Sequence, residues 1–363
     1  MNILLLATHL NRGGITRYVT NLAIFLNRRG NKVWVASSKG WGQGVLEKEG
    51  IPFKNIPIKT KSMLSWKVFF SFFILIPFIK RNKIEIIHAN TRVTQFLGFL
   101  LYKFLRIPYV SSFHGFYRPH TLRKLFKFEG VKTIAVSFSV KKHLVNDLKI
   151  KAEKIEVIYN GINREEFKKR EVDHSIQEFR KSSSIHLGIL GRLSEEKGHY
   201  LIIEAFKLLG KEYPNIYLNI CGRGRLYRSL VSYIEKNHLE ERIKFLSLEP
   251  NDFLEKIDIL VVPSSREGFG YTILEAFAKG VCVVGFNTGG IKEIIRDREN
   301  GILFYKYTPL SLKSAIESLL QNKGLREKLV KKAQQDLNNF SMERTAEATE
   351  RVYREIKSGS IEK

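Results

Sequence analysis

Two carboxylates, Glu267 and Glu275, stand eight positions apart around a glycine-punctuated turn, Arg266-Glu267-Gly268-Phe269-Gly270-Tyr271-Thr272-Ile273-Leu274-Glu275. Upstream, Ile257-Asp258-Ile259-Leu260-Val261-Val262 is apolar enough for a buried strand that stops at Pro263. Downstream, Tyr271 to Lys279 predicts a helix closed by Gly280. Glu267 is therefore expected on a strand-to-helix loop and Glu275 about two turns into the helix. Loops at the carboxyl ends of strands gather the ligands of open α/β sheets. A helix start also offers unpaired N–H groups to an anion. Carboxylates beside such a site are poor partners for phosphate and good acceptors for sugar hydroxyls. Taken alone, two glutamates at this spacing read as solvated surface charges; the neighbouring motifs tip the reading toward a site.

Gly188-Ile189-Leu190-Gly191-Arg192-Leu193-Ser194-Glu195-Glu196-Lys197-Gly198 predicts a strand, a loop and a helix start. Arg192 and Lys197 would then lie at a strand's carboxyl end and could clamp a diphosphate from two sides. Asn11-Arg12-Gly13-Gly14 joins the first strand to a helix beginning about Ile15, where glycines let the backbone approach a ligand closely. His114 ends the strand of Ser111-Ser112-Phe113-His114-Gly115, and His88 lies on the preceding one, with a structural or an acceptor-side role. The sequence contains no complete G-x-G-x-x-G, since Tyr227 follows Gly222 and Gly224 at the third position, so no nicotinamide site is expected. It also contains no D-x-D.

The elements that must position these residues alternate from end to end. Apolar strands are expected near Ile3–Ala7, Val33–Ser37, Ile84–Ala89, Tyr109–His114, Ile134–Ser137 and Val157–Tyr159. A second series falls near Ile185–Leu190, Ile216–Cys221, Ile243–Leu246, Ile257–Val262, Cys282–Gly285 and Ile302–Phe304. Strands without clean alternation, separated by helices, imply parallel sheets covered on both faces. Two series, in a chain of 363 residues, imply two Rossmann-like domains. We expect a first domain over 1–165, a polar linker over 166–184, a second domain over 185–340, and a closing helix with a polar tail over 341–363.

In this order the motifs resemble the retaining GT-B glycosyltransferases of family 4 (glycosyl transferases group 1). The resemblance rests on the E-x7-E pair, the G-R-x(4)-K-G segment and the Gly13-Gly14 loop. It extends to Asn160-Gly161-Ile162-Asn163, Thr288-Gly289-Gly290-Ile291-Lys292-Glu293 and Asn300-Gly301-Ile302-Leu303. It covers nearly the whole chain and is strongest over 185–305. Departures are Asn163, where Asp is commoner, and the basic run Gly222-Arg223-Gly224-Arg225.

The resemblance implies two Rossmann-like domains facing across a cleft, a closing helix over 341–363 that returns to the first domain, and closure about the linker on binding. It implies that Arg192 and Lys197 hold the donor's diphosphate, with Gly13, Gly14 and the helix start at Thr272–Leu274. Glu267 would hold hydroxyls of the transferred sugar, with backbone N–H groups of Phe269 and Gly270. Glu275 would hold the nucleotide ribose, and His114 would reach the sugar, so Glu267 and His114 stand as the catalytic pair. The expected donor is a nucleotide-diphosphate sugar, UDP-sugar foremost, used without metal or other cofactor and with retention. The alternatives are a GT-B sugar-nucleotide epimerase and a non-enzymatic polyanion-binding protein; no recognised nucleic-acid module supports a nucleic-acid partner.

The formal net charge is +25. Residues 1–170 carry 31 Lys and Arg against 9 Asp and Glu, whereas residues 171–363 carry 30 against 27. The first domain should therefore attract a polyanion such as an anionic glycan or glycolipid acceptor, or lipid headgroups. The uncharged run Val68–Ile79, between Lys67 and Lys80, is too short to span a bilayer. It reads either as a buried helix or as an interfacial one led by Trp66. Basic and aromatic residues recur together at Phe96–Arg106 and Arg123–Phe128, so we expect the first domain to attach peripherally to a membrane, on its cytoplasmic face. The start Met1-Asn2-Ile3-Leu4-Leu5-Leu6 reads as a strand rather than a signal peptide. Cys221 and Cys282 form no metal or redox motif and read as reduced core residues of a cytoplasmic protein.

Overall fold

The computed structural model of the protein describes residues 1–117, 126–167 and 184–359. It divides into two compact units, Met1–Gly161 with Ser341–Lys363, and Ile162–Phe340.

The first unit is a parallel sheet of order β3-β2-β1-β4-β5-β6-β7. Its strands are β1 (Asn2–His9), β2 (Lys32–Ser38), β3 (Phe53–Asn55), β4 (Ile86–Ala89), β5 (Tyr109–Phe113), β6 (Lys132–Ala135) and β7 (Ile155–Val157). Strand order reverses between β1 and β4, so the loops after these strands diverge and leave a crevice. Residues Ile3 to Ala7 are wholly buried, because helices cover both faces. On one face Leu4, Leu6 and Ile87 pack under the helices Trp66–Arg81 and Arg92–Leu105. The other face lies under the helices Gly14–Arg28 and Met342–Gly359. The latter is the closing helix. Its Tyr353 hydroxyl lies 2.6 Å from His88 Nδ1 on β4, and its buried Glu350 accepts from Arg29 at 2.7 Å and Asn31 at 3.3 Å.

The second unit is a parallel sheet of order β10-β9-β8-β11-β12-β13, which reverses between β8 and β11. Its strands are β8 (Ile185–Leu190), β9 (Ile216–Cys221), β10 (Ile243–Leu246), β11 (Ile259–Val262), β12 (Cys282–Phe286) and β13 (Ile302–Phe304). Cys221 and Cys282 are buried free thiols; burial pushes Cys282 up to about 12.

One boundary shifts. The first domain was expected to end at 165, but the chain leaves the first unit at Gly161. The turn Arg164–Phe167 belongs to the second unit because Phe167 is buried there and Asn251 Nδ2 donates to the Glu166 carbonyl at 2.7 Å. Most of the expected linker, Arg123 to Leu125 and the end of the polar tail lie outside the described residues. At the crossover, a Cβ on Gly161 would overlap the carbonyl oxygen of Ser341, so the outgoing and returning chains touch where only glycine fits.

Candidate active site

In the second unit, β8 and β11 are neighbours at the reversal point, and the loops after them carry the sequence motifs. The two loops are stitched together. Ser265 N donates to the Glu196 carbonyl at 2.9 Å. Lys197 Nζ meets Glu267 Oε2 at 2.6 Å, with both side chains largely shielded from water. The G-R-x(4)-K-G and E-x7-E segments thus converge on one ion pair. Arg192 is not part of it: the side chain points to solvent, with Nη2 3.6 Å from Glu196.

A third loop fixes the Glu267 backbone. Gly290 N donates to the Glu267 carbonyl at 2.9 Å. A Cβ on Gly289, which has φ +49°, would overlap that carbonyl, and one on Gly290 would overlap Phe269 Cα. The paired glycines therefore give the Glu267 loop a side-chain-free surface to rest on. Phe269 is buried, with its ring edge-on to Tyr271 and Phe340, so it anchors the loop from below.

The helix Tyr271–Lys279 starts after Gly270 with no capping side chain and no acid in its first turn. Ile273 N donates to the Gly270 carbonyl at 3.0 Å, and the positive end of the helix dipole lies at this start. Thr272 is half-buried at this start and Leu274 is wholly buried. Glu275 is only 4% exposed, within the inward run Ile273–Phe277. A carboxylate so placed has little water to solvate it and must be satisfied by fixed donors.

In the first unit, Gly13 and Gly14 follow β1 and are exposed, and a Cβ on Gly13 would meet nothing within 4 Å. No protein packing demands that glycine, which leaves the backbone open to a ligand. His114 follows β5 and packs edge-on against Tyr18, with ring centroids 4.7 Å apart. Its Nε2 is buried and has no hydrogen-bond partner. Burial lowers its pKa to about 4, so it is a neutral ring with one unfilled nitrogen. His88 is the structural histidine: its Nε2 lies 2.7 Å from Ser112 Oγ and its Nδ1 is taken by Tyr353. Burial, with the nearby His114 ring, lowers its pKa to about 3.

Residues 12–166 match the family described as Glycosyltransferase Family 4, and residues 171–336 match Glycosyl transferases group 1. The uncharacterized glycosyltransferase MJ1607 of Methanocaldococcus jannaschii is 31% identical over 375 residues, covering 94% of each chain. The chain belongs to the group 1 glycosyltransferases. A glycosyltransferase structure from Rickettsia africae matches it with a TM-score of 0.84 at 23% identity, covering 98% of each chain. HepE of Anabaena, solved with UDP-glucose, matches with a TM-score of 0.82 at 21% identity, covering 99% of this chain and 100% of that one. These likenesses give this glycosyltransferase the GT-B fold.

Sequence reasoning alone missed Tyr18, which carries the His114 ring but reads in the sequence as an ordinary core aromatic. It also missed the packing reason for Gly289-Gly290. Asn300 of the third motif proves architectural: it ties the Arg296 and Ile294 backbones to Asp336.

Proposed function

We propose that this glycosyltransferase moves a sugar from a nucleotide-diphosphate donor, a UDP-sugar, to an anionic lipid-linked or cell-surface glycan, of lipopolysaccharide or polysaccharide type. The observation that carries the reading is the Lys197–Glu267 pair at the carboxyl ends of β8 and β11, beside an uncapped helix start. Transfer builds negative charge on the leaving diphosphate. Lys197, the helix N–H groups and a swing of Arg192 from Glu196 would neutralise it, so no metal is needed. Glu267, positioned by Lys197, would hold hydroxyls of the moving sugar; Glu275 would hold the ribose; the neutral His114 ring would accept or donate one further hydroxyl bond. Gly13 and Gly14 would let the first unit's backbone approach the phosphates. Retention follows a front-face route, in which the diphosphate helps deprotonate the acceptor. The UDP-glucose bound by HepE supports the choice of donor, and the basic first half supports an anionic acceptor at the cytoplasmic membrane face.

A thermal-shift panel of UDP-, GDP- and ADP-sugars, with and without chelator, tests this. One nucleotide class should raise the melting temperature whether or not chelator is present. Glu267→Ala should remain folded and lose about 100-fold or more in turnover, the scale of a lost transition-state contact. Full activity in Glu267→Ala would sink the site.

A further inference from the structure

We infer that the first unit carries a second binding site, for the headgroup of an anionic phospholipid, at the amino-terminal edge of its sheet. It deepens the membrane-face reading above and names the surface. A cavity of about 530 Å³ opens there, beside the first residues of β5 and β6. Its wall is aromatic, from Phe99, Tyr102, Tyr109 and Phe128, and Lys103, Lys127 and Lys154 line it with one acid, Glu129. Glu129 sits 3.7 Å from Lys154, Lys127 donates to the Lys149 carbonyl, and Lys103 lies over the Phe99 ring at 5.8 Å. An apolar wall with a surplus of cations suits a phosphate that carries alkyl chains.

The surface around the mouth fits the same ligand in bulk. The helix Trp66–Arg81 has two apolar stripes. Val68, Ser71, Leu75 and Ile79 face the core, while Trp66, Phe69, Phe70 and Phe73 stand 41–67% exposed on the other side. One face of this helix is therefore core, and the other is the exposed apolar face that an interfacial helix needs. Ring contacts run from Phe69 to Phe96 to Phe128 to the half-exposed Phe126 at the cavity, and from Phe73 through Phe72 to the exposed Phe104. Neither Trp66–Arg81 nor Arg92–Leu105 contains an Asp or Glu, and Lys67, Lys80, Arg81, Arg92 and Lys103 flank the rings. No described helix is long and apolar enough to cross a membrane. A patch of rings fringed by cations is the chemistry of a bilayer interface with anionic headgroups. Charge complementarity selects that occupant over a neutral protein surface.

The test uses the full chain and sedimentation with vesicles of phosphatidylcholine alone or of equimolar phosphatidylcholine and phosphatidylglycerol. The protein should bind the mixed vesicles at least tenfold more tightly. Phe70→Ser with Phe73→Ser, and separately Lys103→Glu, should each lose at least tenfold, while Lys244→Glu on the second unit should bind as the parent does. Unchanged unfolding midpoints would show that the variants fold. Equal binding to both vesicles, or parent-like binding by Lys103→Glu, would overturn the inference. The assay contains no sugar donor, so its failure and a failure of the transferase reading are read separately.

Discussion

Lys197 and Glu267 are seventy positions apart and 2.6 Å apart in space, and each makes sense only through the other. The sequence showed both residues, and their chemistry predicted a shared site, because each follows an apolar strand directly. It did not predict that they pair with each other, nor that Arg192, their supposed companion, would turn to Glu196 instead. Loop side-chain direction depends on packing between loops distant in sequence, which no local pattern encodes. The buried histidines make a prediction at this same scale. His88 and His114 have folded pKa values of about 3 and about 4, below the value of about 6.5 in the unfolded chain. The unfolded chain therefore takes up protons first as pH falls. Stability from these rings is complete above about pH 6.5 and is lost toward the folded values, at about 1.4 kcal/mol per pH unit for each. Urea midpoints should decline between about pH 6.5 and 5, before carboxylates contribute, and His88→Gln should flatten the decline. A flat profile in the parent protein would refute the neutral, buried state.

At the scale of elements, apolar runs located the strands within a few residues, and five of the second series of six match their observed limits at the start. The strand β3 went unseen because Phe53-Lys54-Asn55 offers one apolar residue at a sheet edge, too little for any periodicity to register. The helix Tyr271–Lys279 was legible from its glycine bounds and agrees at both ends. What could not be read was why Thr288-Gly289-Gly290 should contain two glycines, since the reason lies in a different loop. Gly290→Ala should push Phe269 and the Glu267 carbonyl out of register, costing about 1–3 kcal/mol of stability and most of the activity. Crystals of the variant, or chemical denaturation beside a turnover assay, would check it; an active, equally stable variant would show that the loop rests elsewhere.

For the whole molecule, the duplication into two Rossmann-like sheets followed from counting strands, and the return of the last helix followed from the resemblance. The bond that holds that helix was hidden, because it joins residues 321 positions apart. Burial pushes the Glu350 carboxyl up, but hydrogen bonds from Arg29, Arg354 and Asn31 outweigh it and hold its pKa below the usual range. Glu350→Ala removes the acceptor of Arg29 and of the buried Asn31, and because Arg29 itself reaches water the first unit should lose about 1–3 kcal/mol, the scale of charge-assisted hydrogen bonds. Calorimetry should show that loss in the first unit's transition, with the second unit's unaffected; a loss shared equally by both would contradict the assignment.

The touching of the two chain passages at Gly161 and Ser341 also sets an order of birth. Synthesis proceeds from the amino terminus, and domains generally fold as they emerge. The second unit is one unbroken stretch, Ile162–Phe340, and can finish as soon as it leaves the ribosome. The first sheet, although made earlier, must wait through all of that stretch. Until the last helix arrives, His88 has no Tyr353 and Arg29 has no Glu350. The nascent protein therefore passes through a long interval with its most basic half unclosed, and the half made first is completed last.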